Sequence, residues 1–162
     1  MSRRPALVAL GTALTAALAL PAGASAADLP DRGHRETGCA RQFDQAVQRY
    51  LDTTARHDAD GFGTLAHDGY TIVMPDATVY AGKTDAMAFI REFFADTNWE
   101  QSFTLKQRVV SGCQTAFVLF DSVWHRPSDD YRSHLVIGLS WTREHGAWQV
   151  VQDQNTKVPP TS

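Results

Sequence analysis

After Asp96 the sequence changes its period and does not change back. From Trp99 onward, Gln101, Phe103, Leu105, Gln107 and Val109 share one side, while Glu100, Ser102, Thr104, Lys106 and Arg108 share the other. That is the two-residue period of a strand. Ser111-Gly112 turns the chain into Thr115–Arg126, Pro127–Asp130 turns it again, and Tyr131, Ser133, Leu135, Ile137, Leu139 and Trp141 alternate in their turn. Glu144-His145-Gly146 precedes a last strand from Trp148 to Thr156. Upstream of Asp96 the period is helical. Phe43, Ala46, Val47, Tyr50, Leu51 and Thr54 mark one helix, and Met87, Ile90, Phe93 and Phe94 another. A short helix carrying Phe62 and Leu65, capped by Asp58 or Asp60, lies between them. Tyr70 to Tyr80 reads as a pair of short strands broken at Pro75-Asp76. Helices first and a meander last imply an α+β domain, with three helices on the concave side of one strongly curved antiparallel sheet. Three helices cannot fill such a sheet, so a pocket is expected between the layers.

The strand Thr115–Arg126 is apolar on both faces. Phe117, Leu119 and Val123 lie on one, and Ala116, Val118, Phe120 and Trp124 on the other. Such a strand needs two covers. One is the helices; the other is expected to be a second copy of the chain, giving a homodimer through the sheet at Phe120 and Trp124.

Arg3 and Arg4, an apolar run from Ala6 to Leu20 and the small-residue site Ala24-Ser25-Ala26 read as a secretory signal over residues 1–26. The expectation is a secreted protein with no membrane segment after cleavage, the run being too short and Ala-rich for a permanent span. Residues 27–39, broken by Pro30, Gly33 and Gly38, read as a flexible leader; 40–158 form the domain and 159–162 a tail. The formal net charge is −3, and losing a signal that holds two arginines and no acid makes it more negative. With no basic cluster either, a nucleic-acid partner is excluded. Cys39 and Cys113 either pair, as an oxidising compartment favours, or stay separate buried thiols. Their spacing fits no metal site, and no cofactor motif, phosphate loop or nucleophile motif is present, so neither metal nor cofactor is expected.

Three segments then carry a resemblance: VQRYLDTTARHDADGF in the first helix, YTIVMPDATVYAGKTDAMAFI through the strand pair, and the closing GAWQVVQDQNTKVP. In this order, over residues 40–158, the chain resembles the nuclear transport factor 2-like superfamily, which includes ketosteroid isomerase and the SnoaL-like cyclases. The resemblance implies a cone-like, cystatin-like α+β roll with Tyr50 presenting its hydroxyl in the pocket. Where ketosteroid isomerase has its general base this chain has Met74, before Pro75. Where that enzyme has a second acid, on the third long strand, stand Gly138, Leu139 and Ser140. A thioether accepts no proton near neutral pH, so steroid isomerisation by that route is not expected.

Asp121, in phase with Phe117, Leu119 and Val123, is the expected catalytic acid or base, its alternative being an exposed carboxylate paired with a cation. Tyr50 is its catalytic partner or else a core aromatic. Met74, Phe103, Trp141 and Trp148 are expected to wall the pocket, with Gln152 and Gln154 as its hydrogen-bonding groups where SnoaL-like relatives often carry histidines. Two functions fit: a secreted domain that binds a small hydrophobic molecule, or a cofactor-independent isomerase, dehydratase or cyclase acting on one.

Overall fold

A computed structural model describes residues 29–159, with side chains from Thr37 onward. The expected signal segment lies outside the described residues. Helix α1 runs Leu29–Ala55, so the helix begins upstream of Ala40 and takes in residues read above as a flexible leader. Pro30 occupies its first turn, where the missing N–H would have had no helical acceptor. Phe43, Ala46, Tyr50, Thr53 and Thr54 form its buried face. The two threonine hydroxyls donate to the carbonyls of Arg49 and Tyr50, which satisfies them away from water. His57, at φ 53°, ends the helical run. Asp58 then caps α2 (Ala59–Gly63) by accepting from the Gly61 N–H at 2.9 Å. A β-carbon at Gly61 would sit 2.2 Å from that same carboxylate, so only glycine fits beneath the cap.

Strands β1 (Ala66–Val73) and β2 (Val79–Ala81) pair around a turn in which the Asp76 carboxylate accepts from the Thr78 N–H. Helix α3 (Lys83–Ala95) buries Ala86, Met87, Ile90 and Phe94. Four long strands follow: β3 (Glu100–Ser111), β4 (Thr115–Arg126), β5 (Tyr131–Glu144) and β6 (Ala147–Lys157). The sheet order is β2-β1-β6-β5-β4-β3. It is not wholly antiparallel as expected, because β6 runs parallel to β1. The chain between them, with β2, α3 and three strands, is more than long enough for that crossover.

Strand β5 decides which face is core. Leu135, Ile137, Leu139 and Trp141 are buried on one side, with Val136, Gly138 and Ser140 on the other. Their partners across the ladder, Ser122, Phe120, Val118 and Ala116, must share the buried side. Phe120 is therefore interior, at 2% exposure, and Trp124 is half-buried beside the helices. Phe120 and Trp124 are thus not on the outer face, as the expected dimer contact requires; Phe117, Leu119 and Val123 form that face, with exposed Val109 and Val136 beside them.

Two strands break their alternation. In β3 the pairing shifts between Leu105 and Gln107, so Arg108 and Val110 come to the helix side while Gln107 and Val109 turn outward, against expectation. Arg108 then bonds Asp44 and the Ala40 carbonyl on α1. In β6 the shift falls at Val151: Trp141 pairs with Val150, but Ser140 pairs with Gln152. One residue of slip exchanges the faces of everything beyond it.

Cys39 on α1 and Cys113 in the β3–β4 turn are joined by a disulfide, with Cα atoms 5.6 Å apart. It closes a loop 74 residues long, for which chain entropy gives about 4 kcal/mol of stabilisation. The Cys39→Ser/Cys113→Ser double variant should lose about that much in urea unfolding monitored by tryptophan fluorescence, with the midpoint lowered accordingly.

Candidate functional site

Between the helices and the sheet lies a cavity of about 440 Å³. Phe62, Ile72, Ile90, Phe93, Leu135 and Ile137 make most of its wall. One end is deep in the protein, at Tyr50 and Asp153; the other opens past Pro75, Tyr131 and Lys157.

The chemistry is concentrated at the deep end. Past the Val151 bulge, β6 turns Asp153 inward at 5% exposure, and among the described residues it is the one buried acid. Tyr50 Oη donates to Asp153 Oδ2 at 2.8 Å, and Tyr70 Oη donates to the same oxygen at 3.3 Å. Asn155 Nδ2 donates to Oδ1 at 2.8 Å. Tyr50 comes from α1, Tyr70 from β1, and the acid from β6, so three elements converge on one carboxyl. Burial pushes the Asp153 pKa from 3.8 up to about 6, while the hydrogen bonds from Tyr50, Asn155 and Tyr70 pull it back. Both phenols are held well above their ordinary range, first by burial and then by the neighbouring Asp153 charge, so they remain hydrogen-bond donors.

Of the residues singled out from the sequence, Tyr50 and Met74 border the cavity. Asp121 does not. It lies on the outer face of β4, nearly half exposed, with Lys106 Nζ at 3.6 Å, because its strand's core phase is the one carrying Phe120 and Ser122. Gln152 and Gln154 also face away, turned out by the β6 bulge. Phe103 stands behind Tyr50, its ring 6.2 Å from the phenol and 5.5 Å from Phe120. Trp141 and Trp148 pack around Phe43 at 5.5 and 5.0 Å, in the solid part of the core rather than on the cavity. Among the described residues no three His, Cys, Asp or Glu side chains gather as a metal site would require.

Asp153 and Tyr70 are the residues that sequence reasoning missed. An unbroken alternation from Trp148 and Val150 puts Asp153 on the wrong face, and the Val150-Val151 doublet is the sole local trace of the slip. The acid nevertheless sits next to where the resemblance sought one. Asp153 is the cross-strand partner of Leu139, one of the β5 residues at which the resemblance implies an acid.

A curved six-stranded sheet covered by helices defines a cystatin-like α+β fold, and solved structures share that fold. A nuclear transport factor 2-like protein with a cystatin-like fold from Novosphingobium aromaticivorans superposes with TM-score 0.67 at 17% identity, covering 86% of this chain and 94% of that one. A nuclear transport factor 2-like protein of unknown function from Pseudomonas putida KT2440 gives 0.64 at 17% identity, covering 74% and 87%. A ketosteroid isomerase-like protein from Erwinia carotovora atroseptica gives 0.61 at 16% identity, covering 72% and 94%. At such identities the likeness is one of fold. The profile of the SnoaL-like domain matches residues 47–151, and the chain belongs to that family. No curated protein matches the sequence.

Because burial raises the Asp153 pKa, the folded chain binds this proton more tightly than the unfolded chain does. Its contribution to stability is therefore greatest below about pH 4 and is lost as pH rises through about 6, a span worth about 3 kcal/mol. Asp153→Asn keeps an acceptor for the phenols and removes the titration. Urea unfolding between pH 4 and 7 should show the variant without that decline, its stability rising relative to the native chain as pH increases.

Proposed function

We propose that this chain takes a small, largely apolar molecule into the cavity and moves a proton on it through Asp153. The observation that carries the reading is a carboxyl with a pKa near 6 at the floor of an apolar cavity, under two phenols that stay protonated. Such a group is mostly the base at pH 7, about ten to one, and once it has taken a proton it is a strong enough acid to return it, which suits proton transfer in both directions. Asp153 would take a proton from a carbon beside a carbonyl; the C–H electron pair becomes the new C=C bond and the carbonyl pair moves onto oxygen. Once Asp153 is protonated it no longer needs both phenolic hydrogen bonds, and the Tyr50 hydroxyl can turn to the oxyanion. Asp153 then returns the proton to another carbon, an isomerisation, or to a departing hydroxide that leaves as water, a dehydration. Met74 at the open end offers no competing base.

One observation favours a second reading, a binding domain without chemistry: both oxygens of Asp153 already accept hydrogen bonds within the protein, as a structural carboxylate's would. The Cys39–Cys113 bridge fits export to an oxidising compartment under either reading. The homodimer we propose uses the outer face at Phe117, Leu119 and Val136, which among the described residues has no covering layer.

Proton exchange at carbon tests the main reading. With a panel of cyclic and aryl ketones in D₂O, followed by proton NMR, the native chain should accelerate loss of the α-proton signal for at least one. Asp153→Asn should lower that rate by about 10²-fold or more, and Asp121→Asn should leave it unchanged. No acceleration over buffer for any ketone would leave the binding domain. For the dimer, sedimentation velocity at micromolar protein should give a two-chain species that Leu119→Lys converts to one chain.

A further inference from the structure

Strand β6 shows the cavity three polar side chains in phase beyond its bulge: Asp153, Asn155 and Lys157. Two pleats, roughly 13 Å along the strand, separate the acid from the lysine. The charged residues bordering the cavity are Asp76, Asp153 and Lys157. Two of them are engaged. Asp153 holds two phenols and an amide. Asp76 accepts from the Thr78 N–H in its own turn. The Lys157 side chain makes no ion pair or hydrogen bond among the described residues.

A lysine at the end of a strand commonly guards an exposed edge or simply points into water. The β1 register ends at Val73–Gln154, so at Lys157 the strand is paired with β5 alone, and what sets this lysine apart from a plain edge guard is the cavity it borders. Its side chain lies at the cavity opening, where Pro75 and Tyr131 are its apolar neighbours and Asp76 the other charged one. The cavity is thus polarised: a carboxyl at the floor, greasy walls, and at the mouth an ammonium with no partner beside the turn-bound Asp76 carboxylate.

We infer that the cavity is built for a monoanion, an apolar-bodied carboxylic acid held at the mouth by Lys157 while its far end reaches Asp153. This rests on the pocket reading above and adds its substrate class. The opposite orientation would bury two carboxylates together in apolar surroundings, so the charges fix which end of the ligand enters first. A single ammonium is a compact point charge that suits one negative charge. A phosphate dianion calls for several donors or a bidentate arginine, and the Asp76 carboxylate on the same rim opposes a second negative charge.

The test uses a matched pair of probes, 6-phenylhexanoate and 6-phenylhexanamide, titrated into the purified protein by calorimetry. The acid should bind about fivefold more tightly than the amide, the increment of one partly exposed ion pair. That preference should fall away in about 0.5 M sodium chloride. Lys157→Met, which keeps the stem and removes the charge, should abolish the preference while leaving amide affinity as it was; Lys157→Arg should retain it. Equal binding of acid and amide, or a preference that survives in Lys157→Met, overturns this inference and leaves the pocket reading intact. Binding of neither probe overturns this inference and the pocket reading with it.

Discussion

Val151 is one residue more than the ladder between β5 and β6 can pair, and the organisation of the molecule follows from where that surplus is placed. Upstream of it, Trp148 and Val150 pack with Phe43 into solid core. Downstream, Asp153, Asn155 and Lys157 turn to the cavity and the glutamines turn away. The parallel ladder to β1 shifts as well, between Ala66 and Thr71, so both neighbours of β6 accommodate the change. A single central strand therefore serves as core at one end and as site at the other. The acid so placed is costly to bury, and the hydrogen bonds from Tyr50, Tyr70 and Asn155 offset part of that cost. The same bonds tie α1, β1 and β6 together at one point.

Much of the architecture is legible in residue order. The stripe Phe43, Ala46, Tyr50 could only be a helix face, and the alternation Leu135 to Trp141 could only be one side of a strand; both are where periodicity puts them. The core phase of β4 is also implicit, since β5 has just one apolar face and its neighbour must match it. Reading β4 alone, with its two greasy faces, conceals this and sends Phe120 to an interface and Asp121 to a cavity. What periodicity cannot register is an inserted residue. In β3 and β6 the slip leaves hydrophobicity nearly unchanged locally but reverses every side chain beyond it, so unbroken alternation puts Gln152, Gln154 and Val109 on the wrong face and hides Asp153. The start of α1 was hidden differently, because Pro30, Gly33 and Gly38 suit a loop by propensity and propensity is a weak local term.

The relation to the ketosteroid isomerase pattern is one of displaced parts. The base position holds Met74 and the strand expected to carry an acid has none, yet an acid arrives at the same level from the adjoining strand. Tyr50, on α1, bonds to it. Fold and site are thus separable: the cone fixes where a polar group is useful, and several backbone positions can deliver one there.

Strand β6 is also the last element of the sheet to be synthesised, although it occupies the middle of the strand order. Until it emerges, β1–β2 with α3 and the β3–β5 meander are two pieces whose facing edges have nothing between them. Pairings so distant along the chain form late, and open edges in the meantime invite association with other chains. Such a topology keeps the sheet in two parts until β6 is available, and it assembles the buried carboxyl in the same step that joins them.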